Sequence, residues 1–202
     1  MEPNPVELFV HITGVIGMFI GYGALVLGTI ALRRATRLED VRAIANAMTY
    51  GRRLGFEHVS VIDALVVASV LVIAATGLDM ARYTGDWRSG WVEVAIATFL
   101  VMAPVGPLVI NPRLHAVARA ASGEAVGEVP GQLDNLLSDA VLTIALRASL
   151  AVLVGLVFLM AVKPSLLWSV FVILLAFIVG FAAAATGKRS SSFLRGRVMS
   201  FE

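Results

Sequence analysis

Cysteine is the first thing this chain lacks, since none occurs among its 202 residues. Disulfide bonds, thiolate metal sites, iron–sulfur clusters, c-type haem attachment and cysteine nucleophiles are therefore excluded. Charge is also scarce, at 15% of residues against about 25% in soluble domains. Hydrophobic residues reach 58% and the mean hydropathy is +0.87. This composition indicates a membrane protein.

Five long apolar stretches account for most of the chain, at approximately 6–32, 58–81, 91–111, 139–162 and 166–187. Each is close to or above the roughly 20 residues that cross the hydrocarbon core of a bilayer. The first stretch is not typical of a signal peptide, because it is long and the residues before it are acidic. We therefore predict an all-α polytopic membrane protein, a bundle of five transmembrane helices in one transmembrane domain over residues 1–202.

The basic residues alternate between the two sides of this predicted bundle. Twelve of the sixteen Lys and Arg residues follow the first, third and fifth stretches. They are Arg33, Arg34, Arg37, Arg42, Arg52, Arg53, Arg113, Arg119, Lys188, Arg189, Arg195 and Arg197. The positive-inside rule then predicts an external N-terminus and a cytoplasmic C-terminus, in the bacterial cytoplasmic (inner) membrane. Arginines beside apolar spans indicate contacts with anionic lipid headgroups, so we expect the lipid bilayer as a partner and no nucleic acid.

Small residues are concentrated in the first predicted span, at Gly14, Gly17 and Gly21. Gly17 and Gly21 form a GxxxG pair, which lets helix backbones approach closely in lipid. A second small surface lies in the last span, at Gly180 and residues 182–185. These surfaces predict helix packing, either within the bundle or against another membrane subunit or a second copy of the chain.

Ionisable residues inside membrane spans are costly and therefore informative. Counting along each span places an outer-side polar cluster near one membrane boundary. Its members are Glu7, His11, Asp79 and Glu93. Near the other boundary, Asp63 and Arg147 differ in depth by about three residues, or roughly 5 Å. We predict that these two residues form an intramembrane ion pair.

His11 is the one histidine inside a predicted span, since His58 and His115 fall near the cytoplasmic boundary. It could ligate haem or copper, bond to Glu93, or donate to a neighbouring carbonyl. A bare metal ion normally needs several ligands, and no convergent set is visible, so no metal site is predicted. No cofactor is predicted, and haem is the possible one, with His11 as the binding residue.

Two further segments leave alternatives open. Apolar residues at helical spacing, Leu38, Val41, Ile44, Ala45 and Met48, predict an amphipathic helix after the first span. It could lie in the membrane interface or pack under the bundle. The prolines at 104, 107 and 112 predict a bent third helix, which could open a cavity or simply follow the shape of the bundle.

The first 110 residues or so resemble a known group of membrane proteins. The segment LFVHITGVIGMFIGYG is similar to the first helix of small bacterial proteins related to copper-resistance protein D and the HemJ-type protoporphyrinogen oxidase. The segments YGRRLGFEHVSVIDALVVASVLVIAATGLDM and GWVEVAIATFLV are similar to their second and third helices. An uncharacterised five-helix branch of bacterial integral membrane proteins fits best. The resemblance implies that His11 occupies the place of a haem-linked histidine, whereas the HemJ-type lysine has no counterpart after Trp91.

The first interpretation of function is a non-catalytic accessory or assembly subunit of a larger membrane complex. It follows from the helix-packing features, the short connections and the lack of a convergent catalytic constellation. The alternative is a haem- or metal-binding redox protein that uses His11. A weaker alternative is a small transporter, which would need a polar cavity that reaches mid-membrane near the prolines of the third helix.

Overall fold

The computed structural model describes residues 4–49, 60–84, 86–123 and 131–198. These residues form α-helices joined by short connections, with a 3-10 turn at Asp86–Arg88 and a π-helical turn at Gly106–Ile110. The helices are α1 (Pro5–Arg34), α2 (Leu38–Thr49), α3 (Val61–Thr84), α4 (Gly90–Met102), α5 (Asn111–Gly123), α6 (Gly131–Leu137), α7 (Ala140–Val162) and α8 (Leu166–Val198).

Five helical segments are long and apolar enough to cross a membrane. They are Pro5–Arg34, Val61–Tyr83, Gly90–Gly123, Leu133–Val162 and Leu166–Ala185. The predicted all-α class and the five helices of spanning length are thus confirmed, and the chain is of the multi-pass type. The third segment exceeds its prediction because α5 follows α4 through the π turn. Residues 58 and 59 of the second predicted span lie outside the described residues.

Local sequence determines where the two central helices begin. Asn4 Oδ1 accepts a 3.0 Å hydrogen bond from Val6 N at the start of α1, and Pro5 occupies the first helical position. Asp139 Oδ1 accepts a 2.8 Å bond from Val141 N at the start of α7. Such caps satisfy amide groups that have no partner within the helix. Both helices therefore start at defined points.

The centre of the bundle is α1, which packs on α3 along its length and also on α7. On the far side, α7 pairs with α8, and α4 packs on both of them. Within the described residues, α3 makes little direct contact with α4. The space between these two helices is where both cavities described below are found.

One end of the bundle, where Arg33, Arg42 and Arg113 lie, is called the arginine-rich end here. At this end the apolar face of α2 packs on α5 in the main core cluster. Arg42 Nε adds a 2.6 Å hydrogen bond to the Ala121 carbonyl of α5. The amphipathic segment after the first span is therefore covered by the protein, which favours packing under the bundle.

Candidate functional site

The glycines of α1 face α3 inside the same chain. A Cβ on Gly17 would lie 2.5 Å from Ser69 Oγ, and one on Gly14 would lie 3.0 Å from Val72 Cγ1. A Cβ on Gly21 would overlap the side chain of Val66. These glycines thus allow the close approach of α1 and α3.

One residue of the small surface of the last span is used in the same way. A Cβ on Gly180 of α8 would lie 2.5 Å from Ala148 Cα of α7. The Gly180 backbone therefore packs directly on α7. Gly180 and the three glycines of α1 named above are thus covered by helices of this chain, whereas Ala182, Ala183 and Ala185 of the last span are exposed.

His11 lies one turn of α1 before Gly14 and is buried, with 6% of its surface exposed. Its Nδ1 atom is 2.8 Å from Thr76 Oγ1 on α3, and that hydroxyl donates a 2.6 Å bond to the Val72 carbonyl. Because the hydroxyl proton is used in this second bond, Thr76 accepts from His11 Nδ1–H. The hydrogen-bond network thus assigns the tautomer in which Nε2 carries the lone pair.

His11 lines a cavity of about 460 Å³ bounded by α1, α3, α4 and α7, called here the His11 cavity. Its lining is apolar apart from His11, Trp91 and Lys163. Three thioether side chains also line it, from Met18, Met80 and Met160. The volume falls in the range of ordinary small-molecule and cofactor pockets. The cavity can therefore hold a sizeable apolar ligand beside the imidazole.

The His11 cavity opens sideways between α3 and α4. Leu78 of α3 and Leu100 of α4 both line the cavity and are exposed on the outside of the bundle, by 42% and 67%. At the end opposite the arginines, Lys163 Nζ lies 5.4 Å from the centre of the Trp91 ring. The cavity thus has a lateral opening wide enough to expose its apolar lining, and at one end a cation lies over an aromatic ring.

The predicted outer-side polar cluster is brought together in part. Glu7 lies beside Asp79 at the same end of the α1–α3 interface as His11. One carboxylate oxygen of Glu7 is buried without a hydrogen-bond partner among the described residues. Glu93 is exposed on α4 and makes no side-chain hydrogen bond or ion pair with the part of the chain that the structure describes. It therefore lies apart from the other three residues.

The predicted ion pair between Asp63 and Arg147 does not form in the structure. Arg147 Nη1 donates to the Ala183 carbonyl of α8, whereas Asp63 lines a second cavity on the opposite side of α7. From α7 the cavity is lined by Ser149 and by Val152, Leu153 and Leu156. Ser149 is two positions along the helix from Arg147 and so about 200° around it. The depth estimate did not define the direction in which each side chain points.

The second cavity has a volume of about 190 Å³ and is called here the Asp63 cavity. Gly106 and Pro107 of the bent segment line it, together with Asn111. Its wall is shared with the His11 cavity through Met18, Phe99, Leu153 and Leu156. Of the three prolines of the third predicted span, Pro107 therefore borders a cavity, which is one of the two outcomes predicted for the bent helix.

Arginines at the arginine-rich end bind the start of α7. Arg33 donates to the Leu137 carbonyl at 2.9 Å, to the Asp139 carbonyl at 3.1 Å and to Thr143 Oγ1. Arg113 Nε forms a 2.9 Å ion pair with Asp139 Oδ2. These side chains hold helices together, so they are not available to the Asp63 cavity.

The role of Thr76 as the hydrogen-bond partner of His11 was not predicted, although the sequence contains a signal for it. His11 lies about six residues from the outer end of the first predicted span, and Thr76 lies about as far from the outer end of the second. Adjacent antiparallel helices place such residues at the same depth. The pairing of these two spans was the missing information.

The described residues contain no group of three or more His, Asp or Glu residues that is arranged to bind a bare metal ion.

Comparisons of this chain with family models, curated proteins and solved structures found no match. The resemblance to copper-resistance protein D and HemJ-type proteins thus stays an expectation.

Proposed function

We propose that this chain is a haem-binding redox protein of the membrane, with the His11 cavity as the haem site and His11 Nε2 as the iron ligand. The observation that carries the proposal is the fixed imidazole: Nδ1–H is held by Thr76, and the ring lines a 460 Å³ cavity. Histidines that bind metals commonly donate their other ring N–H in this way.

The residues of the cavity fit a haem group. The apolar walls would suit the macrocycle, and the thioether of Met80 or Met160 could help His11 hold the iron, since His/Met pairs hold haem iron in other proteins. Lys163 is a cation in the lining and suits a propionate group. A bound haem would supply a one-electron redox centre. The chain's own contribution is to orient the imidazole and to keep the site apolar.

The accessory-subunit role stays a prediction. Gly17, Gly21 and Gly180 of its small-residue faces pack within this chain, whereas Ala182, Ala183 and Ala185 are exposed. An exposed apolar surface on α8 remains, as any lipid-facing helix requires. No feature of the described residues favours a particular protein partner.

The absorption spectrum of the purified protein tests the haem proposal. Protein produced with added haem and isolated in mild detergent is expected to show a Soret band, and His11→Ala should remove it. Thr76→Val keeps the side-chain shape but removes the acceptor for Nδ1–H, so haem affinity should fall by about 10- to 100-fold. His115→Ala, on α5 at the arginine-rich end, is the matched control and should retain the band. A Soret band that persists in His11→Ala would contradict the proposal.

The proposal includes the orientation derived from the sequence, with the N-terminus outside and the C-terminus in the cytoplasm of a bacterial inner membrane. Because the chain has no cysteine, a single introduced thiol reports its own side without background. Ser89→Cys should react with an impermeant maleimide added to intact spheroplasts, and Ser122→Cys should react only after lysis. The reverse pattern would contradict the orientation.

A further inference from the structure

The Asp63 cavity gathers polar groups at one height of the bundle. Tyr22, Asp63 and Ser149 all line it. A Cβ on Gly21 would lie 3.9 Å from the Ile62 carbonyl. The next residue of each helix, Tyr22 on α1 and Asp63 on α3, therefore lies at a similar depth along the bundle. Three helices thus bring a phenol, a carboxyl and a hydroxyl to the same depth of an otherwise mostly apolar cavity.

Ser149 adds a buried hydroxyl to this cavity. The residue is 3% exposed, and its Oγ atom makes no hydrogen bond of ordinary geometry with the described residues. The Tyr22 hydroxyl lies close to it. A serine inside a helix often bonds to the carbonyl four residues back, as Thr29 and Thr49 do here. Because Ser149 does not, its hydroxyl and that of Tyr22 lie side by side at the cavity and can both contact a bound molecule.

The charge of Asp63 indicates what that molecule is. A carboxylate within a span is costly unless it is paired, and Asp63 forms no ion pair within the described part of the chain. Three of the described arginines at this end of the bundle bind other groups. Arg33 binds the start of α7, Arg113 pairs with Asp139, and Arg147 binds the Ala183 carbonyl. The cavity therefore favours a positively charged ligand.

The residues that line the cavity indicate which kind of cation it would bind. Metal cations such as Ca²⁺ take six to eight oxygen ligands, whereas this lining is dominated by apolar side chains. Alkylated ammonium groups are instead attracted by a carboxylate together with aromatic faces, and Tyr22 and Phe99 supply such faces here. Val67 and Leu71 of α3 line the cavity and are exposed by 55% and 64%, so the cavity also opens towards lipid.

We propose that the Asp63 cavity binds the ammonium head of a lipophilic organic cation that enters from the bilayer between α3 and α4. Asp63 neutralises the head, Ser149 and Tyr22 contact it, and the alkyl tail lies in the lateral opening. This site is separate from the haem site and does not depend on haem. It also meets part of the requirement for the weaker alternative of a small transporter, a cavity with polar groups beside the third-helix prolines.

Calorimetric titration of the full-length protein in neutral detergent tests the proposal, with hexyltrimethylammonium as the probe. Hexanesulfonate carries the opposite charge on the same tail and should not bind. Asp63→Asn should weaken binding of the cation roughly tenfold or more, because it removes the opposite charge from the site. Asp79→Asn removes a carboxylate outside the cavity and should bind as the wild type does. Equal affinities for the wild type and Asp63→Asn would overturn the proposal.

A second measurement remains valid if Asp63→Asn fails to fold. Ser149→Cys is nearly isosteric and introduces the sole thiol of the chain, and Ile20→Cys places a thiol at similar depth on the exposed side of α1. Hexyltrimethylammonium should slow the alkylation of Cys at position 149 several-fold and leave position 20 unaffected. Absence of protection at position 149, or equal protection at both positions, would overturn the site.

Discussion

The two faces of α3 meet their surroundings in opposite ways. One face packs on the glycines of α1, so closely that a single added methyl group at Gly21 would overlap Val66. The other face borders the His11 cavity and the Asp63 cavity and makes little contact with α4. One helix is thus held firmly by a narrow seam of small residues on α1, while its remaining surface borders cavities.

The largest expected effect lies in the glycine seam. Gly21→Ala places a methyl group on the Val66 side chain, and overpacking of this kind costs about 1–3 kcal/mol of unfolding free energy. Gly23→Ala is the matched control, because no atom lies within 4 Å of its Cβ position. It should be neutral or stabilising by up to about 1 kcal/mol, since alanine favours helix more than glycine. Denaturation by SDS in mixed micelles measures both, and equal losses would show that the seam is not tightly packed.

A smaller effect is expected one turn away, where Gly17 faces Ser69. Gly17→Ala should cost about 1 kcal/mol, because the Ser69 hydroxyl has to move. Combining it with Ser69→Gly removes the clash, so the double variant should be more stable than the sum of the two singles predicts by about 0.5 kcal/mol or more. Strict additivity in the same SDS titration would mean that the two positions do not touch.

The smallest effect on stability is expected on the cavity face. Ala74 lines the His11 cavity, and Ala74→Leu extends into open space, so the free energy of unfolding should change by less than the roughly 1 kcal/mol expected for Gly17→Ala. Haem retention, read from the Soret band, should nevertheless fall strongly because the cavity becomes smaller. A large loss of stability would show that this face is packed after all.

The spans could be predicted from the sequence because hydropathy sums over about 20 residues and tolerates local error. Glycine spacing also indicated close packing, although it did not specify which helix would cover Gly17 and Gly21. The amphipathic pattern of α2 predicted the helix, but it did not determine whether lipid or protein covers its apolar face. That choice depends on α5, which lies about 70 residues further along the chain.

The site could be predicted only in part. The sequence indicates how deep a residue lies along its span, but it does not indicate the direction in which the side chain points. Asp63 and Arg147 were assigned similar depths, yet Arg147 faces α8 and Ser149 faces the cavity. Glu93 was assigned to the level of His11 but lies on an exposed side of α4. The cavities themselves follow from the separation of α3 and α4, a property of the assembled bundle that no local pattern encodes.

The π-helical turn at Gly106–Ile110 has a consequence for everything that follows it. A wide turn of this type inserts one residue into the helical repeat, which advances the phase of all later side chains by about 100°. Asn111 is thereby presented to the Asp63 cavity, and Leu114 and Val117 are presented to α2. Removing a single residue from this turn would restore the regular repeat and rotate both surfaces away together. The lining of the Asp63 cavity and the contact between α2 and α5 therefore depend on the same turn.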